Sequence, residues 1–150
     1  PVLLVKLYGP AFGLDDRAVA LVAISAFIGH LWPVFFAFKG GKGVATAAGV
    51  LFGVEPLLGA AVMGTWLLMA VVFRYSSLAA LSASLLAPAY YLMGHQVVWQ
   101  MSEAELLAVM VMSVLLLMRH KDNIARLVSG QESKIGAKKD APAEEADAQA

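Results

Sequence analysis

Two clusters of residues have the types and spacing to do chemistry, and a third is ambiguous. The first is Gly40-Gly41-Lys42-Gly43, followed by the short apolar run Val44–Gly53. A glycine turn that opens a helix leaves backbone N–H groups unpaired at the positive end of the helix dipole, which makes an anion site. Lys42 adds a full charge, and Thr46 lies in the first turn. The spacing G-x-x-x-x-G-K-[ST] is absent, so this is not a nucleotide P-loop. The same residues also read as a plain turn whose lysines mark a membrane boundary. The second cluster is Arg119-His120-Lys121-Asp122-Asn123. Histidine is the natural general base near neutral pH, and Asn123, three residues on, shares a helix face with it. The alternative is a basic patch resting on anionic lipid. The third is Arg74-Tyr75-Ser76-Ser77, where Ser76 or Ser77 can cap the apolar run that begins at Leu78. His30 is a further candidate because it lies inside an apolar stretch, where an ionisable group is functional by default. His95 reads as ordinary surface.

The elements that must position these residues are membrane helices. Of the 150 residues, 60% are apolar and 15% charged, against about 45–50% and about 25% in soluble domains. That excess is best hidden in lipid. Net charge is zero and cysteine is absent, which removes any global argument for nucleic acid and excludes disulfides and thiolate metal sites. The apolar runs are Pro1–Tyr8, Arg17–Phe38, Val44–Gly53, Pro56–Phe73, Ser77–Gly94 and Ala104–Met118. They are continuous rather than alternating, so the fold class is all-α, a polytopic transmembrane bundle and not a barrel. Val44–Gly53 is half the length of a span. Arg119–Gly136 places Ile124, Leu127 and Val128 at helical spacing, which predicts an amphipathic interfacial helix. Two units are expected: a transmembrane domain over 1–136, and a disordered tail over 137–150, rich in Ala, Asp and Glu.

Charge sets the orientation. With the runs crossing alternately, one face receives Lys39, Lys42, Arg74, Arg119, Lys121 and Arg126. The other receives Arg17 beside Asp15 and Asp16, and the loop Gly94–Glu103, which has no Lys or Arg. The positive-inside rule makes the first face cytoplasmic. Every polar cluster then lies on that side.

GHLWPVFFAFKGGKGVATAAG (29–49), RYSSLAAL (74–81) and RHKDNIARLVSGQESKIG (119–136), in that order and spacing, resemble the bacterial acyl-phosphate-dependent glycerol-3-phosphate acyltransferases, the PlsY family. The resemblance implies a seven-helix enzyme of the bacterial inner membrane with its motifs at the cytoplasmic side. It implies acyl transfer from an acyl phosphate to the sn-1 hydroxyl of glycerol 3-phosphate, giving 1-acyl-glycerol 3-phosphate and inorganic phosphate. The partners would be those two substrates and membrane lipid, with no metal, organic cofactor or nucleic acid. Gly40, Gly41, Lys42 and Gly43 would hold glycerol phosphate, with Arg119 on a phosphate and Ser77 also binding substrate. His120 and Asn123 would be the catalytic pair, and Glu132 would be structural, pairing with a nearby Lys or Arg. The family's first motif, a GSGNxGATN-type loop, has no counterpart here; it would lie upstream of Pro1, so the sequence is expected to lack its true N-terminus. A second family serine, three positions after Ser77, is replaced by Ala80.

Rival readings keep the acceptor and change the donor to acyl-carrier protein or acyl-CoA, or make the chain a transporter or a membrane adaptor. A transporter needs a continuous polar path, and polar residues in the runs such as His30, Thr65, Ser82 and Ser84 are too few and too scattered to make one.

Overall fold

The computed structural model describes residues 1–137; the tail expected over 137–150 lies, apart from Ala137, outside the described residues. Among the described residues seven α-helices follow in order: α1 (Val2–Tyr8), α2 (Asp16–Leu31), α3 (Val44–Val54), α4 (Pro56–Phe73), α5 (Ser76–Met93), α6 (Glu103–Arg119) and α7 (Lys121–Val128). Three stretches are long and apolar enough to cross a bilayer: Asp16–Phe36, Pro56–Phe73 and Ser76–Met93. α6 has 17 residues, about 26 Å at 1.5 Å per residue, slightly short of a ~30 Å hydrocarbon core. α3 spans only about 16 Å by the same rise and is joined to α4 through Glu55 and Pro56. Proline at the first helical position needs no partner for its missing N–H, so the chain turns there without loss.

Helix boundaries follow local chemistry. Asp15 caps α2, its carboxylate accepting the Arg17 N–H at 3.0 Å. α2 ends at Leu31 because Trp32 precedes Pro33 and is pushed out of the helical region. The run Arg17–Phe38 is therefore a helix followed by a short 3-10 turn (Val34–Phe36), in which the Pro33 carbonyl accepts the N–H groups of Phe36 and Phe38. α5 begins at Ser76 with no side-chain cap, so neither serine caps it. α7 is shorter than the 119–136 pattern suggested: His120 interrupts it at one end, and it stops at Val128. Residues Gln131–Gly136 then return as a non-helical strap.

The core is made of alanines, valines and leucines on the facing sides of the helices, with Phe27, Leu31 and Leu58 fully covered. Small residues allow close approach between helices in lipid; Ala79, Ala80, Ala83 and Ala87 supply such a stripe on α5. Outward faces remain apolar, as with Leu68 and Val71 on α4. That is the pattern of helices solvated by acyl chains.

At the end away from the motifs, Lys6 Nζ lies 2.9 Å from Glu105 Oε1, and Tyr91 Oη donates to Glu105 Oε2. This ties α1, α5 and α6. His95 is not ordinary surface: its Nδ1 accepts the Met101 N–H at 3.1 Å, which closes the α5–α6 loop.

Candidate active site

The glycine turn folds back against the end of α2. A Cβ on Gly40 would collide with the carbonyl oxygens of His30 and Leu31, so backbone must pass there unadorned. Gly43 has φ +84°, a left-handed conformation that glycine adopts freely, and it opens α3. Among the described residues, the N–H groups from Gly40 to Thr46 donate no hydrogen bond; the first bond of α3 is Ala47 N–H to the Gly43 carbonyl at 2.8 Å. These donors lie at the positive end of an 11-residue helix and are left without a protein partner. Two of the loop carbonyls do have one. Arg119 takes them, with Nη2 at 3.0 Å from Gly40 O and 3.1 Å from Gly41 O. Its guanidinium also sits 6.0 Å from the centre of the Trp32 ring. Arg119 thus ties the glycine turn to the end of α6.

Lys42 Nζ donates to Asn123 Oδ1 at 2.6 Å. Asn123 Nδ2 donates to Glu132 Oε1 at 2.6 Å, and Arg126 Nε lies 2.7 Å from Glu132 Oε2. Glu132 therefore pairs with Arg126 and sets the amide orientation of Asn123. Burial alone would raise the Glu132 pKa. The neighbouring Ser77 hydroxyl, Asn123 and Arg126 outweigh it and hold the carboxyl at about 2. Ser77 is buried, and its Oγ makes no hydrogen bond of good geometry, though it is near enough to Glu132 to act on its charge.

His120 lies in the break between α6 and α7 and is 1% exposed. Its Nδ1 is 2.8 Å from the Leu116 carbonyl. A carbonyl can only accept, so Nδ1 carries the proton and Nε2 keeps its lone pair in the neutral ring. Burial lowers the His120 pKa from the ordinary 6.5. The Leu116 bond and the Glu132 carboxylate oppose that, and the Lys42 charge adds to it. The result is a neutral imidazole with one free basic nitrogen.

Beneath His120 is an apolar cavity of about 370 Å³. α3, α5 and α6 each line it with two turns at helical spacing, running from Val44 to Leu51, Ala80 to Ala87 and Val109 to Leu116, and α4 adds Val62, Met63 and Trp66. Leu116 belongs to both places: its side chain lines the cavity and its carbonyl holds His120.

Gly40, Gly41, Lys42, Gly43, Arg119, Asn123 and Glu132 are thus linked in one assembly, with His120 and Ser77 buried beside it. Thr46 lies in the first turn of α3 and contributes a free N–H. His30 lies within the Asp16–Phe36 stretch, exposed and one residue from the end of α2, and a Cβ on Gly41 would stand 2.6 Å from its Nε2. Among the described residues, no group of three or more His, Asp or Glu could hold a metal ion.

The fold is that of a multi-pass membrane protein with a polar assembly at one end. A family model described as glycerol-3-phosphate acyltransferase matches residues 1–130. A glycerol-3-phosphate acyltransferase from Albidiferax ferrireducens is 52% identical over 138 residues, covering 92% of this chain and 62% of that protein. One from a Janthinobacterium species is 55% identical over 140 residues, covering 92% and 66%. A crystal structure of PlsY, an integral membrane glycerol 3-phosphate acyltransferase, in its glycerol 3-phosphate form superposes with TM-score 0.81 at 34% identity, covering 91% of this chain and 64% of that one. Its lysophosphatidic acid form gives 0.80. The chain belongs to the glycerol-3-phosphate acyltransferase family of PlsY type, and it spans just under two thirds of the length of these relatives.

Proposed function

We propose that the chain acts in acylating glycerol 3-phosphate, with acyl phosphate as donor and the sn-1 hydroxyl as acceptor, at the cytoplasmic side of a bacterial inner membrane. The carrying observation is the double role of Leu116, whose side chain lines the apolar cavity while its carbonyl accepts the Nδ1 proton of His120, so that a neutral histidine with an unprotonated Nε2 stands one helical turn from the cavity lining. An acyl chain fits that cavity. The N–H groups of Gly40 to Thr46 and the charge of Lys42 suit the phosphate of the acceptor, and Arg119 serves by holding the Gly40 and Gly41 carbonyls, which leaves the N–H groups unpaired.

The acceptor hydroxyl oxygen attacks the acyl carbonyl carbon. The new ester C–O bond forms as the bond from that carbon to the phosphate oxygen breaks, and phosphate leaves with the electron pair. The hydroxyl proton passes to His120 Nε2 or to a phosphate oxygen. The leaving group is good, so alignment supplies most of what the reaction needs. Asn123, fixed by Glu132, supplies that alignment together with Lys42. The family and the glycerol 3-phosphate and lysophosphatidic acid forms of PlsY favour glycerol 3-phosphate as acceptor. The basic residues at the motif end favour the cytoplasmic face.

The test is purified protein in lipid, given glycerol 3-phosphate with acyl phosphate, acyl-CoA or acyl-carrier protein in turn. Lysophosphatidate and phosphate released together from acyl phosphate alone are expected. Turnover with either of the other donors alone would replace the donor. Phosphate uptake into vesicles without any lysophosphatidate would replace the enzyme reading with transport.

A further inference from the structure

Arg74 follows α4 with φ 62° and ψ 24°. A helix that stops on a left-handed residue usually carries glycine there, because a Cβ is disfavoured. What the arginine does with its side chain accounts for its presence. Its Nη2 donates to the Ile135 carbonyl at 2.8 Å, and its own carbonyl accepts the Ile135 N–H at 2.6 Å. One residue thus takes both backbone groups of another, 61 positions away. The left-handed turn is what aims the Arg74 carbonyl and side chain the same way.

Among the described residues the strap Gln131–Gly136 has few other attachments. Ile135 is 43% exposed, so apolar burial does not hold it. Gln131 N–H bonds Arg126 O at 2.8 Å, and the Lys134 ammonium stands 5.7 Å from the centre of the Tyr75 ring. Between these ties lies Glu132, whose carboxylate orients Asn123 and, through it, Lys42. Without the far anchor, Glu132 would stand on a segment tied firmly only at its α7 side.

We propose that Arg74 is a positioning residue. Its clasp on Ile135 docks the strap, and the docked strap holds Glu132 where it fixes Asn123 and Lys42 for the acceptor phosphate. The functional part of this rests on the acylation reading above. The clasp itself does not.

The test uses Arg74→Gly in the full-length, membrane-inserted protein. Glycine suits the left-handed position better than arginine, so this variant keeps its helix end and its fold while losing the guanidinium. The 150 residues contain no cysteine, so, with any cysteine outside them replaced, Ser133→Cys takes a single nitroxide on the strap. The expected result is a mobile label, an unchanged melting temperature, a raised KM for glycerol 3-phosphate, and kcat/KM lower by up to about 10²-fold, the scale of loss when a reacting group is misplaced by about 1 Å. Arg74→Lys, which keeps one donor, should recover part of both readouts. An immobile label in Arg74→Gly would overturn the clasp. A mobile label with wild-type kcat/KM would overturn the positioning role. If the wild-type protein makes no lysophosphatidate, the acylation reading fails, and the nitroxide alone judges the clasp.

Discussion

Lys42 and Asn123 are 81 positions apart and meet at 2.6 Å, ammonium to amide oxygen. That contact joins the glycine turn to α7. It fixes the amide: Oδ1 is taken by Lys42, so Nδ2 must face Glu132, and does. The same ammonium acts on His120 as a charge. The candidate site is therefore one coupled unit, in which a substitution at any member is felt by the others.

Lys42→Met should be the most damaging change at the glycine turn. It removes a hydrogen bond to a charged group, worth about 1.5–3 kcal/mol, and leaves Asn123 free to rotate. The expected loss in kcat/KM for glycerol 3-phosphate is roughly 10–150-fold on that energy scale. KM for the acyl donor should move far less. Steady-state kinetics with each substrate varied in turn decides this, and equal losses on both substrates would instead indicate misfolding.

His120→Ala should lower kcat by roughly 10²–10⁴, the range for a general base, with little change in KM. A base must be unprotonated. Because the His120 pKa lies below 6.5, the wild-type rate should hold as pH falls through 6.5 and drop only below it. His120→Ala should lack that acidic limb. If His120→Gln keeps most of kcat and the limb remains, a substrate phosphate is the base.

Glu132 gives the strap its pH dependence. Its folded pKa of about 2 lies below the ordinary 4.5. A depressed carboxyl contributes stability that is fully present above the unfolded value and disappears as pH falls through the folded one. A nitroxide at Ser133 should therefore stay immobile at neutral pH and loosen as pH falls from about 4.5 toward 2. In Glu132→Gln it should be loose at neutral pH already and insensitive to acid over that window. A label immobile in both proteins at all pH values would detach Glu132 from strap docking.

Much of this was legible in the sequence, because membrane spans are written as contiguous apolar runs and the motifs as contiguous polar ones. α3, α4 and α5 lie where the runs placed them. What failed depended on single residues or on distant partners. Pro33 interrupts the run Arg17–Phe38 in the sequence, but that the chain goes on past the break as a 3-10 turn over Val34–Phe36 is not written there. His120 was read as a residue within a helix, whereas it occupies the break between two. Glu105 pairs with Lys6 across 99 positions, and nothing in local pattern foretells that. The Arg74 clasp was equally hidden, since a left-handed arginine has no signature of its own.

Topology is open to a direct check because the chain has no native cysteine. Ala37 and Ser133 are both exposed and both belong to the basic end. Ala37→Cys and Ser133→Cys should react with an impermeant thiol reagent only after the inner membrane is opened. Reaction in intact spheroplasts would place the glycine turn and strap outside and reverse the orientation argued from charge.

The cavity makes the last prediction. Ala87 is 2% exposed and lines the cavity seven residues along α5 from Ala80, which lies near the start of that helix at the polar end, just as Leu51 lies seven residues from Val44 on α3 and Val109 seven from Leu116 on α6. Two helical turns are about 10 Å, so a larger side chain at Ala87 shortens the cavity without reaching the polar assembly. Ala87→Leu should therefore shift donor preference toward shorter acyl chains, with KM for glycerol 3-phosphate unchanged. Ala80→Leu, at the near end, should lower activity with donors of every length. Overpacking costs about 1–3 kcal/mol in a filled core. An existing cavity absorbs part of that, and equal amounts of folded protein in the membrane are the control. An unchanged chain-length profile in well-folded Ala87→Leu would show that the acyl chain lies elsewhere, along the outer apolar faces of the bundle.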